Sequence, residues 1–95
     1  MTRHFLDVDD LEPEELDAVL EAAGIPFMEV PPLLRGRGAA LLFEKPSLRT
    51  RSSMEVAIAQ LGGHPVTIVG DEIGIDTRET AEDIARVLSR YHAVI

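Results

Sequence analysis

The segment FEKPSLRTRSS, residues 43–53, brings together cations and hydroxyl groups that could bind a small anion. The side chains concerned are Lys45, Ser47, Arg49, Thr50 and Arg51. A guanidinium group presents a planar fork of N–H donors that suits phosphate oxygens, and a hydroxyl adds a further donor. The chain as a whole is acidic, with a formal net charge of -8 over 95 residues. One basic island in such a chain favours a small anionic ligand and argues against a nucleic-acid partner, which would need a basic face.

The composition excludes several other kinds of chemistry. The chain has no cysteine, so disulfides and thiolate catalysis are excluded. No apolar run reaches the roughly 18–20 residues that span a bilayer, and the opening MTRHFLDVDD lacks the apolar core of a signal peptide. His4 and His92 stand without ligand partners at metal-binding spacing, so no metal site is expected. We therefore expect a cytoplasmic protein without a membrane partner.

The anion-binding segment needs a scaffold, and the sequence around it alternates between strand and helix patterns. Glycines, prolines and apolar periodicity predict a helix over 9–24, an extended connector over 25–34, a strand over 38–44 and a helix over 48–61. They further predict a strand over 64–70, a polar loop over 71–79, a helix over 80–91 and a strand from 92. The order β-α-β-α-β after an N-terminal helix predicts the α/β class, with a parallel sheet flanked by helices. Because an apolar strand begins where the chain ends, we expect a piece of a longer protein.

Caps and apolar runs make these predictions more specific. Asp9 or Asp10 is expected to cap the N-terminal helix. Pro13 fits the first turn of that helix, and Gly24 is expected to end it. The run GAALLFE, residues 38–44, is short, continuous and apolar, which is typical of a strand buried on both faces of a sheet.

The anion-binding segment lies where a strand gives way to a helix. The strand is predicted to end at Phe43 or Glu44, and the helix to begin near Ser47 or Leu48. Ligands of open α/β sheets bind beyond the carboxyl ends of the strands. A helix start offers unpaired backbone N–H groups at the positive end of the helix dipole. The position therefore favours a phosphate site, although the GxxxxGK[ST] pattern of nucleotide-binding loops is absent.

Structural alternatives for these side chains stay open at this point. Ser47 fits the N-cap position of the helix, where a serine commonly has a purely structural role. Arg49 and Arg51 could be solvated, or could pair with Glu55 across one turn. Two cations in a first turn oppose the helix dipole, however, and this favours an external anion.

The same residues resemble a known family. The stretch LLFEKPSLRTRSSMEVAIAQLGG is similar to the carbamoyl-phosphate signature of the aspartate/ornithine carbamoyltransferases, written FEKxSTRTRxSFE in the ornithine branch. The sequence Glu44-Lys45-Pro46 favours that branch. ETAEDIARVLSRYHAVI and HFLDVDDLEPEEL also resemble the ornithine enzymes, so the likeness covers nearly the whole chain. Within the signature, Leu48 replaces the usual Thr and Met54 the usual Phe.

The resemblance implies a substrate and a reaction. Ser47, Leu48, Arg49 and Thr50 would bind the phosphate of carbamoyl phosphate, and Arg49 would be the catalytic residue, placed where charge develops. The amine of ornithine would attack the carbamoyl carbon, giving citrulline and phosphate in arginine metabolism, with no cofactor. Aspartate or putrescine carbamoyltransferases, and a non-catalytic phosphate-binding fragment, are the alternatives.

The resemblance also implies what the chain contains and how it assembles. Residues 1–95 would be the N-terminal part of the carbamoyl-phosphate-binding domain, without the second, ornithine-binding domain, and would be inactive alone. The complete enzyme would be a homotrimer, in which the loop over 71–79 reaches the neighbouring subunit. Glu72 and Arg78 are the candidates on that loop, although Arg78 also fits a solvated loop arginine.

Overall fold

The computed structural model describes residues 2–95, and the chain divides into two compact units, Met1–Val30 and Pro31–Ile95. The helices are α1 (Pro13–Ala23), α2 (Leu48–Gln60), α3 (Gly70–Ile73) and α4 (Ala81–Tyr91), and the strands are β1 (Gly38–Phe43), β2 (His64–Val69) and β3 (His92–Val94). Two short 3-10 turns cover Val8–Asp10 and Phe27–Glu29, so the predicted connector over 25–34 is not extended throughout. Within residues 2–95, no helix has both the length and the apolar character needed to cross a membrane.

The first unit contains α1, which begins later than the sequence predicts. Its N-cap is Glu12, not Asp9 or Asp10, and Pro13 occupies the first helical position as expected. The carboxylate of Asp10 is already occupied, because it accepts the backbone N–H of Leu6 at 2.7 Å. Residues 8–10 consequently form a separate 3-10 turn ahead of α1.

An ion pair fixes the segment that precedes α1. The guanidinium of Arg3 donates to both carboxylate oxygens of Glu15, one of them at 2.8 Å. The Glu15 carboxylate also accepts the backbone N–H of Glu12 at 2.9 Å. The hydrogen bond from Arg3, followed by the one from Glu12, lowers the pKa of Glu15 to about 2. α1 ends at Gly24, as predicted.

The second unit is built on a three-stranded sheet in the order β2-β1-β3, and all pairs are parallel. β1 pairs with β2 along its whole length, from Gly38 opposite His64 to Phe43 opposite Val69. β3 is shorter and pairs only with Gly38 and Ala39. α2 connects β1 to β2, and α4 lies between β2 and β3. The predicted parallel sheet flanked by helices is therefore confirmed.

The core of the second unit lies at the amino-terminal half of β1. Ala39 and Ala40 are each 2% exposed, and because neighbouring strand residues point to opposite faces, both faces are covered there. Ile58 of α2 and Ile84 of α4 are also buried. The prediction that the whole strand is buried is wrong for its carboxyl half, since Leu42 is 39% exposed. β3 stops short of that half and leaves it uncovered on one edge.

The segment between β2 and α4 is more ordered than the predicted polar loop. One helical turn, α3, follows β2 directly and ends at Gly74, which adopts the left-handed conformation. The next turn holds Asp76 at a φ of 61°, which is uncommon for a residue with a side chain. α4 then begins after Thr80, whose hydroxyl oxygen accepts the backbone N–H of Asp83 at 3.1 Å.

Candidate functional site

The proposed anion-binding segment lies where the sequence places it, between the carboxyl end of β1 and the start of α2. β1 ends at Phe43, Ser47 takes the N-cap position, and α2 begins at Leu48. The carbonyl of Ser47 accepts the backbone N–H of Arg51 at 3.0 Å, which closes the first turn. Within residues 2–95 the hydroxyl of Ser47 makes no capping hydrogen bond. The side chain therefore does not perform the structural role of an N-cap.

The first turn of α2 is open to an incoming anion. The backbone N–H groups of Leu48, Arg49 and Thr50 precede the first possible partner within the helix, as at every helix start. The side chains of these three residues are exposed, with that of Leu48 at 78%. No acidic residue lies in this turn to neutralise the positive end of the dipole. The turn thus presents donors and positive potential to solvent.

The two arginines of the segment have different surroundings. Arg51 donates from Nε to Glu55 Oε2 at 2.8 Å, so the pairing alternative is confirmed for this residue. Arg49 forms no ion pair with any acidic side chain in residues 2–95, and neither does Lys45. The structure therefore leaves Arg49 available to a ligand, whereas Arg51 is engaged in an ion pair with Glu55.

Glu55 has a second partner on the sheet. The hydroxyl of Thr67 in β2 donates to the same oxygen, Oε2, at 2.5 Å. The hydrogen bond from Thr67, followed by the one from Arg51, lowers the pKa of Glu55. Sequence reasoning missed Thr67, because a threonine within the apolar run HPVTIV gives no signal of a contact twelve positions away.

Glu72 and Arg78, the two loop candidates, lie close to each other, and in residues 2–95 no side-chain hydrogen bond or ion pair links either of them to the start of α2. Arg78 donates from Nη2 to the backbone carbonyl of Glu72 at 3.1 Å, and both side chains are exposed. The Arg78 side chain also folds against Gly74, where an added Cβ would lie 2.9 Å from its Nε. In the second unit by itself, Arg78 thus stabilises its own turn.

A cleft of about 440 Å³ adjoins the carboxyl ends of β1 and β2. Glu44, Asp71 and Asp76 contribute carboxylates to its wall, and none of residues 47–50 lines it. A cleft of this charge disfavours phosphate, so the open turn of α2 remains the candidate anion site. Across residues 2–95, no group of three or more histidine and acidic side chains is arranged to hold a metal ion.

Comparison with known proteins identifies the family. A family model described as "Aspartate/ornithine carbamoyltransferase, carbamoyl-P binding domain" matches residues 3–95. The chain belongs to this family. The resemblance predicted from residues 41–63 is thereby confirmed, and the description of the family assigns carbamoyl phosphate binding to the matching domain.

Relatives and solved structures within the aspartate/ornithine carbamoyltransferase family agree with the fold. The ornithine carbamoyltransferase of Mycolicibacterium gilvum is 52% identical over 96 residues, which cover 96% of this chain and 31% of that protein. That of Acidothermus cellulolyticus is 51% identical over 100 residues, covering 100% of this chain and 31% of that protein. The chain thus spans 31% of the length of these curated relatives.

The crystal structure of anabolic ornithine carbamoyltransferase from Campylobacter jejuni matches 98% of this chain and 31% of that chain, with a TM-score of 0.87 and 32% identity. A mitochondrial ornithine carbamoyltransferase from Coccidioides immitis matches 99% of this chain and 33% of that chain, with a TM-score of 0.81 and 28% identity. The α/β class predicted from the sequence is therefore shared with solved members of the aspartate/ornithine carbamoyltransferase family.

Proposed function

We propose that residues 1–95 form the N-terminal part of the carbamoyl-phosphate-binding domain of an ornithine carbamoyltransferase, and that the ornithine-binding domain belongs to a further part of that enzyme. The observation that carries the proposal is the open first turn of α2, which follows the carboxyl end of a parallel strand and carries Arg49, an arginine without an ion pair in residues 2–95. Family membership over residues 3–95 supports carbamoyl phosphate as the anion. The names of the relatives support ornithine as the acceptor.

The phosphate group is bound by the residues at the start of α2. Ser47 and Thr50 donate from their hydroxyls, and Arg49 donates from its guanidinium. Leu48 carries no polar group on its side chain and contributes its backbone N–H instead. A hydrogen bond to a charged group is worth about 1.5–3 kcal/mol, and the helix dipole adds about 0.3–1 kcal/mol.

The same groups assist the reaction. The side-chain amine of ornithine attacks the carbamoyl carbon, the bond from that carbon to the bridging oxygen of phosphate breaks, and the amine loses a proton. Arg49 stabilises the negative charge that develops on the departing phosphate, because a preorganised donor acts most strongly where charge appears. The products are citrulline and phosphate, so the enzyme acts in arginine metabolism. No step requires a cofactor.

The assembly proposed for the complete enzyme is a homotrimer in which the turn carrying Glu72 and Arg78 reaches a neighbouring subunit. Both side chains are exposed in the second unit, which leaves them accessible to such a contact. A sedimentation measurement on the complete gene product that returns a monomer at working concentration would overturn this part of the proposal.

The reaction is tested by assaying the complete gene product with carbamoyl phosphate and each of ornithine, aspartate and putrescine. We expect citrulline from ornithine and no product from the other two acceptors. Carbamoylation of aspartate or putrescine alone would assign the enzyme to that acceptor instead. Binding of carbamoyl phosphate without turnover of any acceptor would replace the enzyme with a binding module. The chain of 95 residues, assayed alone, is expected to form no citrulline.

A further inference from the structure

α2 is fixed firmly at its carboxyl-terminal end. The backbone N–H of Leu34 donates to the carbonyl of Leu61 at 2.9 Å, and that of Gly63 donates to Ile58 at 2.9 Å. Gly63 also permits close packing, because an added Cβ there would lie only 3.1 Å from Ile58 Cγ2. These contacts hold the end of α2 that lies away from the proposed phosphate site.

The middle of α2 is linked to the sheet by a polar side-chain contact. Within residues 2–95, the bond from Thr67 to Glu55 is the only hydrogen bond between a side chain of α2 and a side chain of the sheet. Glu55 Oε2 accepts Arg51 Nε as well, so the three residues form a continuous chain from β2 to the opening of α2. We call Thr67, Glu55 and Arg51 the helix clamp.

The helix clamp offsets an unfavourable interaction between a cation and the α2 dipole. Arg51 and Arg49 lie near the positive end of the α2 dipole, where cations are unfavourable. The i,i+4 spacing places Glu55 on the same side of the helix as Arg51, and the bond from Thr67 restrains its carboxylate there. The hydroxyl of Thr67 supplies this restraint from a strand whose backbone is fixed by its pairing with β1, where Thr67 lies opposite Leu41. Removing the hydroxyl would remove this restraint from the Glu55 carboxylate.

We infer that Thr67 is a positioning residue for the proposed phosphate site: its hydroxyl holds Glu55, Glu55 holds Arg51, and the first turns of α2 keep their place beside the carboxyl end of β1. The inference rests on the proposed function. Thr67 does not contact the ligand in this arrangement and acts only through the other two residues. The depressed pKa of Glu55, for which the Thr67 hydrogen bond is the first cause, agrees with the inferred restraint.

The test compares Thr67→Val with Thr67→Ser in the complete gene product. Valine keeps the branched shape and removes the hydroxyl, whereas serine keeps the hydroxyl. Calorimetric titration with carbamoyl phosphate, well below the melting temperature, is expected to show about 3- to 10-fold weaker binding for Thr67→Val, with the energy of the one internal hydrogen bond removed as its upper limit. Thr67→Ser is expected to bind within about twofold of the wild type, because its hydroxyl still reaches Glu55.

A second comparison separates positioning from general stability. Once Glu55→Ala has removed the middle of the helix clamp, adding Thr67→Val is expected to weaken binding no further, because the two changes break the same chain of contacts. The inference is overturned if Thr67→Val lowers the melting temperature and leaves the affinity unchanged, or if the two substitutions weaken binding independently. A wild-type protein that binds no carbamoyl phosphate would instead overturn the proposed function, and the inference with it.

Discussion

Replacing Arg49 by alanine tests the proposed site most directly, because the structure separates its effect on binding from its effect on folding. Arg49 is exposed and forms no ion pair within residues 2–95, so its removal breaks no internal ion pair. Removal of a cation from the first turn relieves an unfavourable contact with the helix dipole of about 0.3–1 kcal/mol. The free energy of unfolding of Arg49→Ala is therefore expected to equal or slightly exceed that of the wild type.

Arg49→Ala is expected to weaken the binding of carbamoyl phosphate, by more free energy than it adds to stability. Loss of one charged hydrogen bond to phosphate costs about 1.5–3 kcal/mol, which corresponds to roughly 10- to 150-fold weaker binding of carbamoyl phosphate. Isothermal titration of the complete gene product measures this change, and urea unfolding of the same samples measures stability. A variant that binds less tightly and unfolds no more easily is the expected result.

Arg86→Ala is a matched control, because it removes one positive charge from a different helix. Arg86 of α4 is exposed and already pairs with Glu82 and Asp83 on its own helix. Arg86→Ala is expected to leave the affinity for carbamoyl phosphate within about twofold, since exposed ion pairs contribute little. Equal weakening by both substitutions would attribute the effect to net charge. Unchanged binding in Arg49→Ala would remove Arg49 from the site.

Three further predictions follow from individual contacts. Gly63→Ala is expected to destabilise the protein by about 1–3 kcal/mol in urea unfolding, because the new Cβ overpacks Ile58, while Gly24→Ala, whose Cβ meets only a carbonyl at 3.5 Å, is expected to be nearly neutral. The carboxyl of Glu15 is expected by NMR titration to have a pKa of about 2, and its stabilising contribution is present above its ordinary value of 4.5 and is lost as the pH falls towards 2. Leu48→Ala is expected to bind carbamoyl phosphate within about twofold of the wild type, because only the backbone N–H of this exposed residue is used.

Each of these three predictions has a result that would contradict it. Equal stability of the two glycine variants would show that the space around Gly63 adapts without cost. A Glu15 pKa near 4.5 would show that its ion pair with Arg3 is not formed in solution, and Arg3→Ala should raise the pKa towards that value, with the Glu12 hydrogen bond still in place. A loss of affinity of tenfold or more in Leu48→Ala would show that the side chain itself contacts the ligand.

The sequence predicted the strand–helix–strand part of the fold closely because its boundaries are local signals. The glycines that flank α2 and β1, and the apolar runs between them, identified β1, α2 and β2 to within one or two residues. The predicted start of α1 was wrong because the Asp10 carboxylate accepts a backbone N–H upstream. The sequence alone does not show that Asp10 makes this bond and does not cap the helix. The exposure of Leu42 was missed because it depends on what packs over that face of the sheet, which is a tertiary property.

The sequence predicted where the candidate residues lie, but left open which of them are paired within the protein. The run of residues 47–50 could be placed at a helix start from the pattern alone, and the pairing of Arg51 with Glu55 was one of two open alternatives. Within the predicted helix the spacing favours Arg51, four residues before Glu55, over Arg49, six residues before it, and the structure shows that Arg51 makes the pair. Thr67 lay beyond sequence reasoning, because its contact crosses from one element to another.

Arg51 is paired with Glu55 and Arg49 has no ion pair within residues 2–95, and this difference bears on the proposed reaction. Phosphate is part of the substrate and is also a product, so tighter binding of both in equal measure would not accelerate the chemical step. Neutralising Arg51 through Glu55 leaves Arg49 and the open turn of α2 as the positive groups at that helix start. A guanidinium without an internal partner can strengthen its contact as charge develops on the departing oxygen. The helix clamp therefore engages Arg51 within the protein and leaves Arg49, which forms no ion pair in residues 2–95, to respond to that charge.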